Sequence, residues 1–277
     1  MPPFVSMPKK IIFFLITAVF LSFIPSVQAR KVSTQYFQRR VKEAKIQNNM
    51  VSFEAKPFEV FTQQDLPDSM RREIKKMIED TVRSVNAHYA YHPVGTMQLS
   101  LLQGAVYDSI DDPEVASSGF YREKKIRMRF DYQQVTQSMG QFEPVFRHEY
   151  THLVIASIDG GKTPRWLNEG LAVYEENGPA GRKRGEGRAF YQSMKSENKL
   201  VPIRDFVSIP LSEQYGKRGS DFYAQSYVLA KYLVDHYGYS KIRQLFNKFK
   251  EGYFFTQALE IVYDIDLEKL AKGAYES

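Results

Sequence analysis

Apolar residues change their period once along this chain, and the change divides it into a strand-rich half and a helical half. Between Met50 and Thr62 they alternate with polar ones (Val51, Phe53, Phe58, Val60), as in a half-buried strand, and Pro57 breaks the run into a pair of short strands. From Asp65 to His88 the period becomes helical: Met70, Ile74, Met77, Ile78, Val82 and Val85 share one face, with Arg, Lys and Glu opposite. Alternation returns in Thr96–Leu102, with Met97, Leu99 and Leu101 inward, and in Ile126–Phe130 within Gly119–Phe130, whose second face is polar. Tyr107–Ser118, rich in Asp, Ser and Pro, reads as a loop. From Phe142 the pattern is helical almost to the end. Thr163 as N-cap, Pro164 at the first helical position and Gly178 just beyond Asn177 bracket one helix, and Ser220–Gly238, Ser240–Gly252 and a short piece after Thr256 are bracketed alike.

Strands first and helices second predict an α+β fold: a small sheet backed by its helix as one lobe, a mostly helical C-terminal lobe, and a cleft between them. Two segments precede this domain, which spans 50–277. Lys9-Lys10, an apolar run from Ile11 to Ile24 and the small-residue end Ser26-Val27-Gln28-Ala29 have the order of a signal peptide, residues 1–29, cut after Ala29. The run is too short to span a bilayer, which needs about 20 residues. The expectation is a periplasmic or secreted protein without a stable membrane span, opening on a polar lead-in, residues 30–49.

Composition narrows the chemistry. The chain has no cysteine, which excludes disulfides, thiolate nucleophiles and Cys-ligated metals, so any metal site draws on carboxylates and the five His. Removing Lys9 and Lys10 with the signal lowers the formal charge from +6 to +4, too weak a balance to argue for nucleic acid as a partner.

The chemistry centres on His148-Glu149-Tyr150-Thr151-His152. In a helix this spacing puts both imidazoles on one face a turn apart, an arrangement suited to zinc. Glu149 projects about 100° round the helix from His148 and is free to face a water in the open coordination position. A catalytic zinc wants a third protein ligand. Glu169 lies 17 residues after His152, far enough for the chain to turn at Gly160-Gly161 and return antiparallel. Gly170, in mid-helix, costs about 1 kcal/mol relative to Ala, and close approach to the His-bearing helix would justify it. Glu175 and Glu176 fall on other faces near the helix end and read as solvated.

His148-Glu149-x-x-His152 followed by Trp166-Leu167-Asn168-Glu169-Gly170-x-Ala172-x-Tyr174 resembles the gluzincin branch of the zinc metallopeptidases, the peptidase MA-like group, and the second segment is similar to that of the M1-type aminopeptidases. The resemblance implies a zincin-like fold with a small mixed sheet and one zinc (Zn2+) held by His148, His152 and Glu169. It implies Glu149 as general base toward a zinc-activated water, and peptides or proteins as substrates. Two departures stand out. The interval from His152 to Glu169 is two residues shorter than in the aminopeptidases, and no G-x-M-E-N segment is present to hold a free α-amino group.

Related enzymes place an oxyanion-stabilising Tyr on a helix after the Glu ligand. Tyr223 is the candidate here, with Tyr227 and Gln225 as alternatives. His88, His92 and His236 read as structural. The strand Lys125–Phe130 is either an ordinary internal strand or, as in zincins, an edge that pairs with substrate backbone. The basic, Gly-rich stretch Gly178–Arg188 reads as a solvated loop. The function expected is that of an exported zinc-dependent peptidase. The alternatives are a zinc-binding scaffold without activity and a zinc amidase acting on cell-wall peptides.

Overall fold

The computed structural model describes residues 41–42, 45–110, 119–122, 124–178, 186–209 and 219–277, the side chains of 119–122 and 186 excepted. The expected signal peptide, most of the expected lead-in, residues 111–118 and most of the basic stretch 178–188 lie outside them. By its internal packing the chain divides into residues 1–49 and 50–277, and the sheet and its helices belong to the second unit. No helix among the described residues is long and apolar enough to cross a membrane.

The strands are β1 (Val51–Ala55), β2 (Phe58–Thr62), β3 (Met97–Leu102), β4 (Gly119–Arg122) and β5 (Lys125–Arg129). The helices are α1 (Asp68–Tyr89), α2 (Gly104–Ile110), α3 (Val135–Asp159), α4 (Arg165–Glu176), α5 (Glu186–Ser196), α6 (Ile203–Phe206), α7 (Gly219–Lys250), α8 (Phe255–Tyr263) and α9 (Leu267–Glu276). The fold is the α+β, zincin-like arrangement expected, with all described strands before residue 130 and only helices among the described elements after 134.

The sheet has the order β1-β2-β3-β5-β4 and is mixed: β2–β3 and β3–β5 are parallel, β1–β2 and β4–β5 antiparallel. The parallel pair β2–β3 needs a long crossover, which α1 supplies. Register puts Val60 beside Leu99 and Leu99 beside Ile126, so the alternating apolar residues of three strands form one dry face. β5 lies between β3 and β4, so of the two readings of Lys125–Phe130 the internal one holds, and the edge on that side is β4. The loop reading at Tyr107 gives way to α2, because Tyr107 and Ile110 bury a three-residue-spaced face that the neighbouring Asp and Ser disguised.

α3 is the axis of the site. Phe142, Phe146 and Tyr150 recur every four residues and stack at 5.8 Å along one side of it. Phe58 of β2 meets Phe146 and Tyr150 edge-on at 5.3 and 5.8 Å. The Tyr150 hydroxyl donates to Asn86 Oδ1 of α1 at 2.8 Å. That aromatic side lies roughly 140° round the helix from the His148/His152 side, so fixing one against the sheet turns the other away from it.

The turn from α3 to α4 is tied by buried Asp159, whose carboxylate accepts from Gly161 N at 2.8 Å and from the Thr163 hydroxyl. Thr163 is therefore committed to Asp159, and Pro164, not Thr163, is the N-cap of α4. α7 is bent at Gly238, whose φ of 78° and ψ of 166° lie outside the helical region, where the sequence placed a break between two helices.

Candidate metal centre

α4 returns across α3 and brings Glu169 to the two histidines. His148 Nε2 lies 3.6 Å and His152 Nε2 3.4 Å from Glu169 Oε2, and these three atoms lie within 4.8 Å of one another. Two atoms each about 2.0–2.1 Å from a common tetrahedral centre stand roughly 3.3–3.4 Å apart, so the two spacings would suit a shared metal ion. The side chains are only 15%, 13% and 10% exposed, so the group is largely shielded from solvent.

Each of the three groups has its far atom committed elsewhere, and every partner comes from α4. His148 Nδ1 is 2.9 Å from Glu176 Oε2, and His152 Nδ1 is 3.1 Å from Asn168 Oδ1. Donation from Nδ1 leaves each Nε2 lone pair pointing into the cage, which is the tautomer a metal ligand needs. Glu169 Oε1 pairs with Arg165 Nη2 at 3.2 Å, leaving Oε2 to face the imidazoles. Arg165, Glu169 and Glu176 stand at i, i+4 and i+11, one face of one helix, with Asn168 beside them.

The charges support one another. Burial depresses the His148 pKa, but hydrogen bonds to Glu169 and Glu176 and the nearby Glu149 outweigh it and push it up to about 10. Burial likewise works against ionised Glu169, yet His152 and His148 hold its carboxyl well below the usual range. With its proton on, His148 bridges two carboxylates, and a metal entering the cage competes with that proton. Glu149 is buried beside them, and burial raises its pKa, with Glu169 and Glu176 adding to the rise and the two imidazoles opposing it. A carboxylate so raised is suited to accept a proton near neutral pH.

Residues 136–275 match the family model described as the Peptidase MA superfamily, half of the chain's length. The chain belongs to this superfamily. Comparison with curated proteins finds no match. Membership points to a peptidase, in a superfamily whose members typically depend on a metal, and among the described residues His148, His152 and Glu169 could hold one.

Three readings of the region are corrected. Glu176 is not merely solvated; it accepts from His148 Nδ1. Glu175 is fully buried, its Oε1 2.9 Å from His88 Nδ1 and accepting from the Tyr239 hydroxyl, with the His88 ring stacked on Tyr239 at 4.4 Å. This knot joins α1, α4 and α7 at the end of the ligand helix. Gly170 does approach another helix closely, but that helix is α7: a Cβ there would stand 2.2 Å from the Ser226 carbonyl oxygen and 2.9 Å from Ala230 Cβ.

Tyr223 is half-buried on α7, in the turn before Ser226. Tyr227 is half-buried on the same side of the helix, while Gln225 is committed to Val201 and Tyr275 and is no longer a candidate. Sequence reasoning passed over Arg165, Asn168 and Glu176 as partners of the ligands. The i, i+4, i+11 spacing around Glu169 was the signal that could have found two of them.

Proposed function

We propose that this chain is an exported, zinc-dependent peptidase of the gluzincin type. What carries the reading is the cage itself: two imidazole nitrogens and one carboxylate oxygen converge, each with its other atom occupied by a residue of α4. Two nitrogens and one oxygen suit zinc better than calcium or magnesium, which take mostly oxygen ligands. Bound by His148, His152 and Glu169, zinc supplies Lewis acidity, polarising a carbonyl and making water acidic enough to react near neutral pH.

The remaining work belongs to side chains. Glu149 takes a proton from the attacking water and gives it to the amide nitrogen as the C–N bond breaks, and its raised pKa serves both transfers. The negative charge developing on the carbonyl oxygen calls for a hydrogen-bond donor, a role that falls to the Tyr223 hydroxyl. Its support is that α7 packs on the ligand helix at Ser226, one turn beyond Tyr223. Export is supported by the order of Lys9-Lys10, Ile11–Ile24 and Ala29.

The test is purification of the protein from a periplasmic or culture fraction, followed by N-terminal sequencing, metal analysis and cleavage of a peptide library before and after chelation. The reading expects a start at Arg30, about one zinc per chain, and cleavage lost on chelation and restored by zinc. Zinc without cleavage of any peptide would favour the inactive scaffold; cleavage of cell-wall peptides alone would favour the amidase.

A further inference from the structure

Resting on the peptidase reading, a second feature bears on what the enzyme selects. A cavity of about 200 Å3 lies between the end of β5 and the first three turns of α3. Its floor is apolar, formed by Met128, Phe130 and Phe142, all buried. The exposed amides of Gln134, Gln137 and Gln141 stand at its mouth.

The cavity shares a side of α3 with the metal cage. At 100° per residue, Gln137, Gln141 and Val145, which also lines the cavity, fall within about 60° of His148 around the helix axis. The same sector holds His152, at about 40°. Gln141 is seven residues before His148, about 10 Å along the helix, which an extended peptide covers in roughly three residues. The volume is below the roughly 300–1,000 Å3 of small-molecule sites and matches a single side chain.

Its two charged lining residues already have partners. Arg129 pairs with Asp108. Asp131 accepts from Gln133 N at 2.8 Å and Gln103 Nε2 at 3.2 Å. The floor therefore favours an uncharged, apolar occupant, and each Gln at the mouth offers both a donor and an acceptor, as a passing peptide backbone requires.

We propose that this cavity is a substrate subsite that takes one apolar side chain two to four residues from the scissile bond, with the Gln amides bonding the backbone above it. The test is cleavage of zinc-loaded full-length protein against a position-scanned peptide library, comparing wild type with Gln141→Trp and Gln137→Trp, each of which fills the mouth from an exposed position. The expectation is a wild-type preference for Leu, Met or Phe over Ala at one such position, and a loss of about 10-fold in that preference in at least one folded variant. Zinc affinity stays within twofold, and kcat/KM for peptides carrying Ala there falls less than for those carrying Leu, Met or Phe. A wild-type profile without that preference, or folded variants whose profile is unchanged or reduced alike at every position, overturns the subsite and leaves the peptidase reading standing. Zinc-loaded wild type that cleaves no peptide overturns both.

Discussion

Gly170→Ala sets two physical effects against each other, and the structure decides the sign. In an exposed helix the change would stabilise by about 1 kcal/mol, because glycine is a poor helix former. Here the new Cβ would stand 2.2 Å from the Ser226 carbonyl oxygen and 2.7 Å from its carbon, both backbone atoms that no rotamer change can move aside. Ordinary van der Waals contact begins near 3.4 Å, so α4 and α7 would have to separate by about 1.2 Å. Overpacking of this kind costs about 1–3 kcal/mol, and contact with rigid backbone belongs at the upper end. The net expectation is a loss of about 2 kcal/mol, or a Tm lowered by roughly 4–8 °C for a domain of this size. Since Glu169 is the neighbouring residue, the shift also loosens the cage, and zinc affinity falls by about 10-fold or more. Thermal unfolding in a chelator and zinc titration against a chromophoric competitor measure the two effects separately. A Gly170→Ala protein as stable as wild type, with the same zinc affinity, would refute the close approach and the claim that α7 sets the position of Glu169.

Other outcomes follow from the same contacts. Glu176→Ala removes the acceptor that orients His148 and lowers zinc affinity about 10–100-fold, whereas Glu176→Gln keeps a carbonyl acceptor and loses less; competition titration checks both. His88→Ala strips fully buried Glu175 of one partner and lowers stability by about 1–3 kcal/mol in denaturant unfolding, with zinc stoichiometry unchanged. Tyr223→Phe lowers kcat by about 100–1,000-fold with little change in KM, while Tyr227→Phe stays close to wild type; the reverse result in steady-state kinetics assigns the donor to Tyr227.

Local periodicity made much of this fold legible. The alternation of Met97, Leu99 and Leu101 and the four-residue recurrence of Phe142, Phe146 and Tyr150 each report which side of an element is dry, and all six side chains are buried. The break at Gly238 was legible because a positive φ favours glycine. What could not be read were relations between distant elements. Whether β5 is an edge depends on where β4 pairs, and which helix Gly170 touches depends on the path of α7, more than 45 residues later. Glu175 and Glu176 show the same limit within the site. Acids at a helix end are ordinarily solvated, and only the arrival of His88 and Tyr239 at one, and of His148 at the other, gives them partners. That His148, His152 and Glu169 come together was legible because the two His are fixed by helix geometry and Glu169 by a short return.

The central claim is that Glu149 moves the proton in a site whose metal is held without it. Glu149→Gln, purified beside wild type, should keep about one zinc per chain and unchanged thermal stabilisation by zinc, while peptide cleavage falls by at least about 100-fold. Full cleavage by Glu149→Gln, or loss of its zinc, would contradict that division of labour.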